Sequence, residues 1–366
     1  MKVAIVCDWL IGGGSERVVL ELHRMYPDAP IYASYATKRW RSELDNKVIT
    51  GFLQYWPFSK LRKFIPFLRI LWFANLNLSK YDVIISASGA EAKGVKTREN
   101  QTHIAYMYAP THYYWSRYDA YLKKPGFGRF DPLARFGLKH LVGPLRRWDL
   151  KAAQRPDHII SISTHIQSEI KKYYGRDSDI IHPPVDTDRF ATPTEKHGLA
   201  NVRRGYVITG RQTPYKRIDL AVAACTQLNV PLIVIGNGPD HKKLTKMAGK
   251  TITFLRNVTD TELPHYLQSS DAFLFPSLED FGIAPVEAMA AGTPVIAYKA
   301  GGALDYVIES KTGQFFTQQT PEALAQAIQS FNADKYSAEK IKEHAKQFAL
   351  SAFHKNLRSE LDKALS

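Results

Sequence analysis

Two carboxylates, Glu279 and Glu287, bracket the turn Asp280-Phe281-Gly282 and the residues Ile283-Ala284-Pro285-Val286. The apolar run Ala272 to Phe275 before them reads as a buried strand, Pro276 to Gly282 as its exit loop, and Pro285 as the opening of a helix, where its missing N–H would be unpaired in any case. That arrangement leaves the backbone N–H groups of Ile283, Ala284 and Val286 unpaired at the carboxyl end of a parallel sheet, a place that suits a phosphate. Glu287, in the first turn, is then placed to accept from the vicinal hydroxyls of a ribose, and Glu279 to face a second polyol.

Upstream, Gly210-Arg211-Gln212-Thr213-Pro214-Tyr215-Lys216-Arg217 follows a strand ending at Thr209. Arg211, through paired hydrogen bonds, and Lys216, as a point charge, are spaced to converge on a diphosphate and to neutralise it as it departs. A third loop, Gly236-Asn237-Gly238-Pro239, lets backbone come close to a ligand. Each signal alone is also what solvated cations and ordinary turns look like. Their recurrence at successive strand ends assembles them into one site for a nucleotide sugar, with Gly210, Gly236, Asn237, Phe281, Gly282, Ile283, Ala284 and Glu287 as its binding residues. No carboxylate pair spaced for a covalent glycosyl intermediate is assignable. Asp186-Thr187-Asp188 has the look of a metal motif, but it follows two prolines and reads as structural, so no metal or other cofactor is expected.

The elements that must position these residues are legible as periodicity. Apolar β-branched runs at Lys2–Cys7, Val83–Ser86, His158–Ile162, Tyr206–Thr209, Leu232–Ile235, Ala272–Phe275 and Val295–Ala297 alternate with helical patterns, which predicts α/β architecture with parallel sheets. A chain of 366 residues exceeds the roughly 250 to 300 at which one core splits. Two doubly wound domains are therefore expected, residues 1–185 and 186–349, divided near His182-Pro183-Pro184. Cys7 and Cys225 sit in apolar runs and read as buried thiols.

The net charge of +14 is uneven: residues 1–185 hold 28 Lys+Arg against 16 Asp+Glu, an excess of +12. That half is expected to meet an anionic partner. The acid-free stretch Phe52–Lys80 interleaves Trp56, Phe58, Phe64, Phe67, Trp72 and Phe73 with Lys60, Arg62, Lys63, Arg69 and Lys80. Its prolines and interior arginine argue against a membrane span. Two readings stand: a segment lying in a membrane interface, or an insertion packed on its own domain with solvated lysines. A nucleic-acid role rests on the charge alone, without a recognition motif, and is not expected. The first residues lack a secretory pattern, so the expected location is the cytoplasm, peripheral at the inner face of the cell membrane.

The stretch Pro276 to Ala288, in the form Pro-Ser-x-Glu-x-Phe-Gly-x-x-x-x-Glu-Ala, together with Arg211 and Lys216, resembles the retaining glycosyltransferases of family 4. Similarity extends to Gly12-Gly13-Gly14-Ser15-Glu16-Arg17, Tyr81–Ser86, Pro184-Val185-Asp186 and Ala291–Ile296. The resemblance implies a GT-B fold, two Rossmann-like domains facing each other across a cleft, with a terminal helix (residues 350–366) returning to the first domain. It implies that Glu287 binds the ribose, Glu279 attends the donor sugar, and Arg211 and Lys216 hold the diphosphate during front-face displacement. Gly13 and Gly14 are expected to approach the donor from the first domain.

The segment Ile104–Trp115 is similar to a piece found in members that build bacterial surface polysaccharides, where the pattern reads Tyr-Cys-His-Thr-Pro-x-Arg-Tyr-x-Trp. This chain has Tyr108 in the histidine's place and His112 in the arginine's. Either takes over a catalytic contact, or His112 merely caps a helix in an aromatic cluster. Lys93 and Gly94 are further candidates. The subgroup implies a mannosyl donor, GDP-mannose, with UDP-sugars as the alternative, and a polyprenyl-linked or glycolipid acceptor; a sugar-nucleotide epimerase and a non-catalytic scaffold are the rival readings.

Overall fold

A computed structural model describes residues 1–62, 64–123, 125–126, 128–192 and 205–365, so Lys63 and part of the span 186–349 lie outside the described residues. These residues build two wholly parallel sheets. The first orders its strands β3-β2-β1-β4-β5-β6-β7, from β1 (Val3–Cys7), β2 (Ile31–Ala33), β3 (Val48–Ile49), β4 (Val83–Ser88), β5 (Thr102–Met107), β6 (His158–Ser161) and β7 (Asp179–Ile180). The second runs β10-β9-β8-β11-β12-β13, from β8 (Tyr206–Thr209), β9 (Leu232–Ile235), β10 (Ile252–Leu255), β11 (Ala272–Phe275), β12 (Val295–Tyr298) and β13 (Gly313–Phe316).

Each order reverses once, between β1 and β4 and between β8 and β11. At such a reversal the flanking loops diverge to opposite faces and leave a crevice at the strands' carboxyl ends. Burial on both faces explains the compositions: every residue of β1, β4 and β11 is buried. The thiols of Cys7 and Cys225 are buried and unpaired, and burial raises both pKa values.

Two compact units result, Met1–Pro183 with His354–Ser366, and Pro184–Phe353. Asp186 caps the short helix Thr187–Ala191 by accepting from the Arg189 N–H, so its carboxylate has a structural task. His354, on the last helix (Leu350–Leu365), meets the buried Glu21 at 2.8 Å. No helix among the described residues is long and apolar enough to cross a membrane.

The basic aromatic stretch divides its residues. Trp72 and Phe73 are core, and Arg69 is buried, paired with both oxygens of Glu91 at 2.8 and 2.7 Å and donating to the Tyr113 hydroxyl at 2.9 Å. Arg69 is thus no surface cation, contrary to its place in the expected interfacial stripe. Phe52, Tyr55, Trp56, Leu61, Phe64, Phe67 and Leu71 are exposed.

His103, on β5, is fully buried and bonds Ser86 at 2.8 Å; desolvation lowers its pKa from 6.5 to about 4. The unfolded chain therefore takes up a proton near pH 6.5 that the folded chain refuses until about pH 4. The stability due to the neutral ring is complete above 6.5 and is lost as pH falls to about 4, on the order of 3 kcal/mol. Denaturant titrations at pH 7 and pH 4.5 are expected to show a larger loss for the parent chain than for His103→Asn; equal losses would refute this account.

Candidate functional site

The reversal between β8 and β11 sets two loops side by side. After β8, Gly210 adopts φ 140°, Pro214–Lys216 form a single 3-10 turn, and Arg217 is left-handed at φ 50°. This course carries Lys216 across to Glu279 in the loop after β11, with Nζ 2.7 Å from both carboxylate oxygens. The Ser277 hydroxyl donates to the same carboxylate at 2.8 Å. Two of the ammonium's three donors are thus engaged, and one remains for a ligand oxygen. Arg211 lies exposed in the same loop.

The helix after β11 spans Ile283–Ala290 and begins two residues earlier than the proline suggests, because Gly282 at φ 91° turns the chain into it. A Cβ on Gly282 would lie 2.6 Å from Phe275 Cζ. No side chain caps this end, so the N–H groups of Ile283 and Ala284 have no partner within the helix. Two details need correction. Val286 is the fourth helical residue, within the hydrogen-bond ladder, and Glu287 belongs to the second turn, where it is buried. Phe281 likewise offers a ligand only its backbone, since its ring is buried against Tyr306 and Phe348 at 5.5 and 5.8 Å.

Gly236 is a point of close backbone approach. At φ 119° its missing Cβ makes room for the neighbouring loop, a Cβ there falling 2.3 Å from the Gly210 carbonyl oxygen. The Asn237 carbonyl accepts from the Gln212 N–H at 3.0 Å, and its side chain turns back to the Gly238 N–H at 2.8 Å.

Sequence reasoning passed over four residues, Gln212, Gly301, Gly302 and Arg189. Gln212 is wholly buried, and its side chain joins the loops after β8 and β9 by donating to the Gly236 carbonyl at 2.7 Å. Gly301 and Gly302, after β12, buttress the Glu279 loop; the Gly302 N–H donates to the Glu279 carbonyl at 2.9 Å. Arg189 reaches Glu287 at 3.8 Å and Asp260 at 3.8 Å, with its Nε and Nη2 buried and without a hydrogen-bond partner. The Gly301-Gly302 pair repeats the glycine-after-strand signal of Gly236; nothing in the sequence singles out Arg189.

In the first unit the glycine loop after β1 is held by Glu16, whose Oε1 accepts from the Ile11 and Gly12 N–H groups at 3.0 and 2.8 Å. Gly13 and Gly14 are exposed, Gly14 preceding the helix Ser15–Met25 without a side-chain cap. Tyr108 donates to the Ser15 carbonyl at 2.8 Å, which ties β5 to that loop; burial raises the phenol's pKa. His112 is partly exposed, its Nδ1 2.9 Å from the Ser116 hydroxyl.

Lys93 and Gly94 are not open to a ligand. Lys93 is buried on Asp149 (2.6 Å) and Thr111 (3.0 Å), while a Cβ at Gly94 would strike Trp148 at 2.7 Å. The crevice between β1 and β4 contains its own anion: Asp8 accepts from the N–H groups of Gly89, Ala90 and Ala92 at 2.8, 3.0 and 2.8 Å. Desolvation and the nearby Glu91 raise its pKa despite these bonds.

Comparison with known proteins agrees with this architecture. Residues 12–189 match the model described as Glycosyltransferase Family 4, and residues 192–348 the model described as Glycosyl transferases group 1. Over 205 residues the chain is 30% identical to the GDP-mannose-dependent alpha-(1-6)-phosphatidylinositol monomannoside mannosyltransferase of Mycolicibacterium smegmatis, covering 49% of this chain and 53% of that one. Over 260 residues it is 28% identical to the D-inositol 3-phosphate glycosyltransferase of Mycobacteroides abscessus, covering 65% and 56%. The chain thus spans about half the length of the curated relatives it matches.

Among solved structures, Anabaena HepE in complex with UDP superimposes with TM-score 0.73 at 19% identity over 99% of this chain and 100% of that one. Sucrose-phosphate synthase of Thermosynechococcus elongatus gives 0.73 at 19% identity over 100% and 99%. These likenesses establish the fold, two Rossmann-like sheets of the GT-B type.

A methyl group at Gly302 would lie 2.3 Å from Phe281 Cα and must push the Glu279–Gly282 loop aside. Gly302→Ala is expected to lower kcat/KM on the order of 100-fold through misplacement of Glu279 and the helix end, in steady-state kinetics with the donor; unchanged kinetics would remove the buttress from the account.

Proposed function

This chain belongs to glycosyltransferase family 4, and from that premise we propose that it transfers mannose from GDP-mannose, with retained anomeric configuration, to a polyprenyl-linked or glycolipid acceptor. The observation that carries the reading is the meeting of Lys216 and Glu279 at the reversal of the second sheet, beside the uncapped start of the helix Ile283–Ala290. A diphosphate set there receives a donor from Lys216, a guanidinium from Arg211 and the N–H groups of Ile283 and Ala284, while Glu287 takes the ribose and Glu279 the sugar hydroxyls. The nucleotide sugar is the only co-substrate of the proposal, and cofactors and metals are absent from it.

In the proposed step the acceptor oxygen bonds to the sugar's anomeric carbon on the face from which the diphosphate leaves. The carbon–oxygen bond to the phosphate breaks, and the acceptor's hydroxyl proton passes to the departing phosphate oxygen. Negative charge grows on that oxygen, so preorganised cations and helix N–H groups lower the barrier where a divalent metal would otherwise be needed. Activity is therefore expected to persist in excess EDTA. Arg211→Ala is expected to reduce kcat about 100-fold; undiminished turnover would contradict the assignment.

The mannose donor is supported by the relative from Mycolicibacterium smegmatis, whose activity is GDP-mannose-dependent. The UDP held by HepE keeps a UDP-sugar as the second reading. Thermal-shift measurements across GDP-, UDP- and ADP-sugars separate the two: the donor is expected to stabilise selectively.

The acceptor reading draws on the first unit's positive excess and on two exposed apolar faces. One comprises Tyr55, Trp56, Phe64, Phe67 and Leu71; the other, Leu133, Phe136 and Leu141, lies on the helix Asp131–Ala153. Tyr113 is bonded to Arg69, on the helix that carries Phe67 and Leu71, and is in edge contact with Tyr121 at 6.2 Å. Aromatic side chains flanked by cations suit the inner surface of an anionic membrane, and a nucleic-acid partner is not part of the proposal. Trp56→Ser combined with Phe136→Ser is expected to weaken cosedimentation with anionic phospholipid vesicles at least about 10-fold, with turnover of a soluble acceptor analogue unchanged; full retention on vesicles would disprove the membrane contact.

A further inference from the structure

The loop after β10, residues 256–262, is tied at both ends to residues of the donor site. At its start, a chain of side-chain hydrogen bonds crosses three loops. Gln212 donates from Nε2 to the Gly236 carbonyl at 2.7 Å, which turns its Oε1 toward His241 Nδ1, also at 2.7 Å. An amide oxygen only accepts, so Nδ1 carries the proton and Nε2 is left as an acceptor. Arg256 supplies the matching donor, Nε lying 3.1 Å from His241 Nε2. Desolvation and the neighbouring guanidinium lower the His241 pKa, which favours the neutral ring this relay requires. The imidazole is further fixed edge-to-face on Phe254 at 5.5 Å.

Farther along the loop, Asp260 lies 3.8 Å from Arg189, and Arg189 lies 3.8 Å from Glu287. The loop therefore approaches both Gln212, next to Arg211, and the carboxylate assigned to the ribose. A nucleoside diphosphate with its phosphates on Arg211 and Lys216 and its ribose on Glu287 has one part still to place, the base, and this loop is what lies beyond.

Arg256 is exposed, and with Nε committed to His241 its two terminal nitrogens make no hydrogen bond or ion pair among the described residues. A guanidinium held by one edge presents the other as a planar fork, whose geometry matches two adjacent acceptors. Guanine carries such a pair in O6 and N7, whereas adenine places an amino donor beside N7.

We propose that Arg256, aimed by His241 and through it by Gln212, is the specificity-determining residue that reads the O6/N7 edge of a guanine nucleotide. The inference rests on the donor-site reading above and goes further, from the class of donor to the residue that selects its base.

Isothermal titration with GDP, ADP and inorganic pyrophosphate tests it, on the parent chain, Arg256→Ala, His241→Phe and Arg211→Ala. Arg256→Ala is expected to weaken GDP binding roughly 10- to 100-fold and to leave ADP and pyrophosphate unchanged, with His241→Phe giving a smaller loss confined to GDP. Arg211→Ala should weaken all three ligands. If Arg256→Ala binds GDP as the parent does, or loses pyrophosphate in equal measure, base reading by Arg256 is overturned while the donor site stands. A parent chain that binds none of the three would take down the donor site itself and this inference with it. Because Arg256 is exposed, its removal is not expected to disturb the fold.

Discussion

The adjacency of β8 and β11, two strands far apart in sequence, is the constraint from which the second unit's chemistry follows. A cation in one loop and a carboxylate in the other come within 2.7 Å only because the strand order reverses between them. In a parallel sheet every strand ends at the same edge, so all the exit loops collect there, and the reversal opens a crevice instead of a packed helix. Lys216 and Glu279 then hold one another in place. An ammonium already oriented by a carboxylate loses less side-chain freedom when a phosphate arrives, which is the advantage of preorganisation.

Glycines allow the loops to approach so closely. Gly236 against the Gly210 carbonyl, Gly238 against Gln212 and Gly302 against Phe281 each leave no room for a methyl group. This edge of the second sheet is thus a stack of backbone segments with a few side chains threaded between them, and Gln212, wholly buried, is one of these. Its backbone and side chain together fasten the loops after β8 and β9.

The first unit solves a different problem, the burial of charge. Asp8, the pair Arg69–Glu91 and the pair Lys93–Asp149 are all shut away from water, at a desolvation cost that each meets with several hydrogen bonds. Asp149 alone accepts from Lys93, Thr111, Trp115 and Tyr174. These clusters fix the segments 88–94 and 108–117 at the carboxyl ends of β4 and β5, so that Tyr108 and His112 stand on rigid supports. They also account for cations that look available in the sequence and are not: Arg69 and Lys93 serve the interior, and the unit's excess positive charge must act through its other lysines and arginines.

The chain's own residues determined the class of architecture and the glycine-rich character of the loops that follow β8, β9 and β11. The strands at Val3–Cys7, Val83–Ser88 and Ala272–Phe275 announce themselves because burial on both faces demands unbroken apolar runs, and Gly-rich turns mark where backbones must pass closely. The strands Ile31–Ala33 and Val48–Ile49 are too short to show a period, and Thr102–Met107 and Gly313–Phe316 break their apolar runs with Thr102 and His103 or with Gly313 and Gln314, so they carry no such mark. What only the tertiary structure decided is which charges face inward and which residues from separate strands meet. Arg69 finding Glu91, Arg189 finding Glu287 and Arg256 finding His241 are matters of strand order and loop course, and a sequence pattern records the spacing along one element, not the neighbour that folding brings from another.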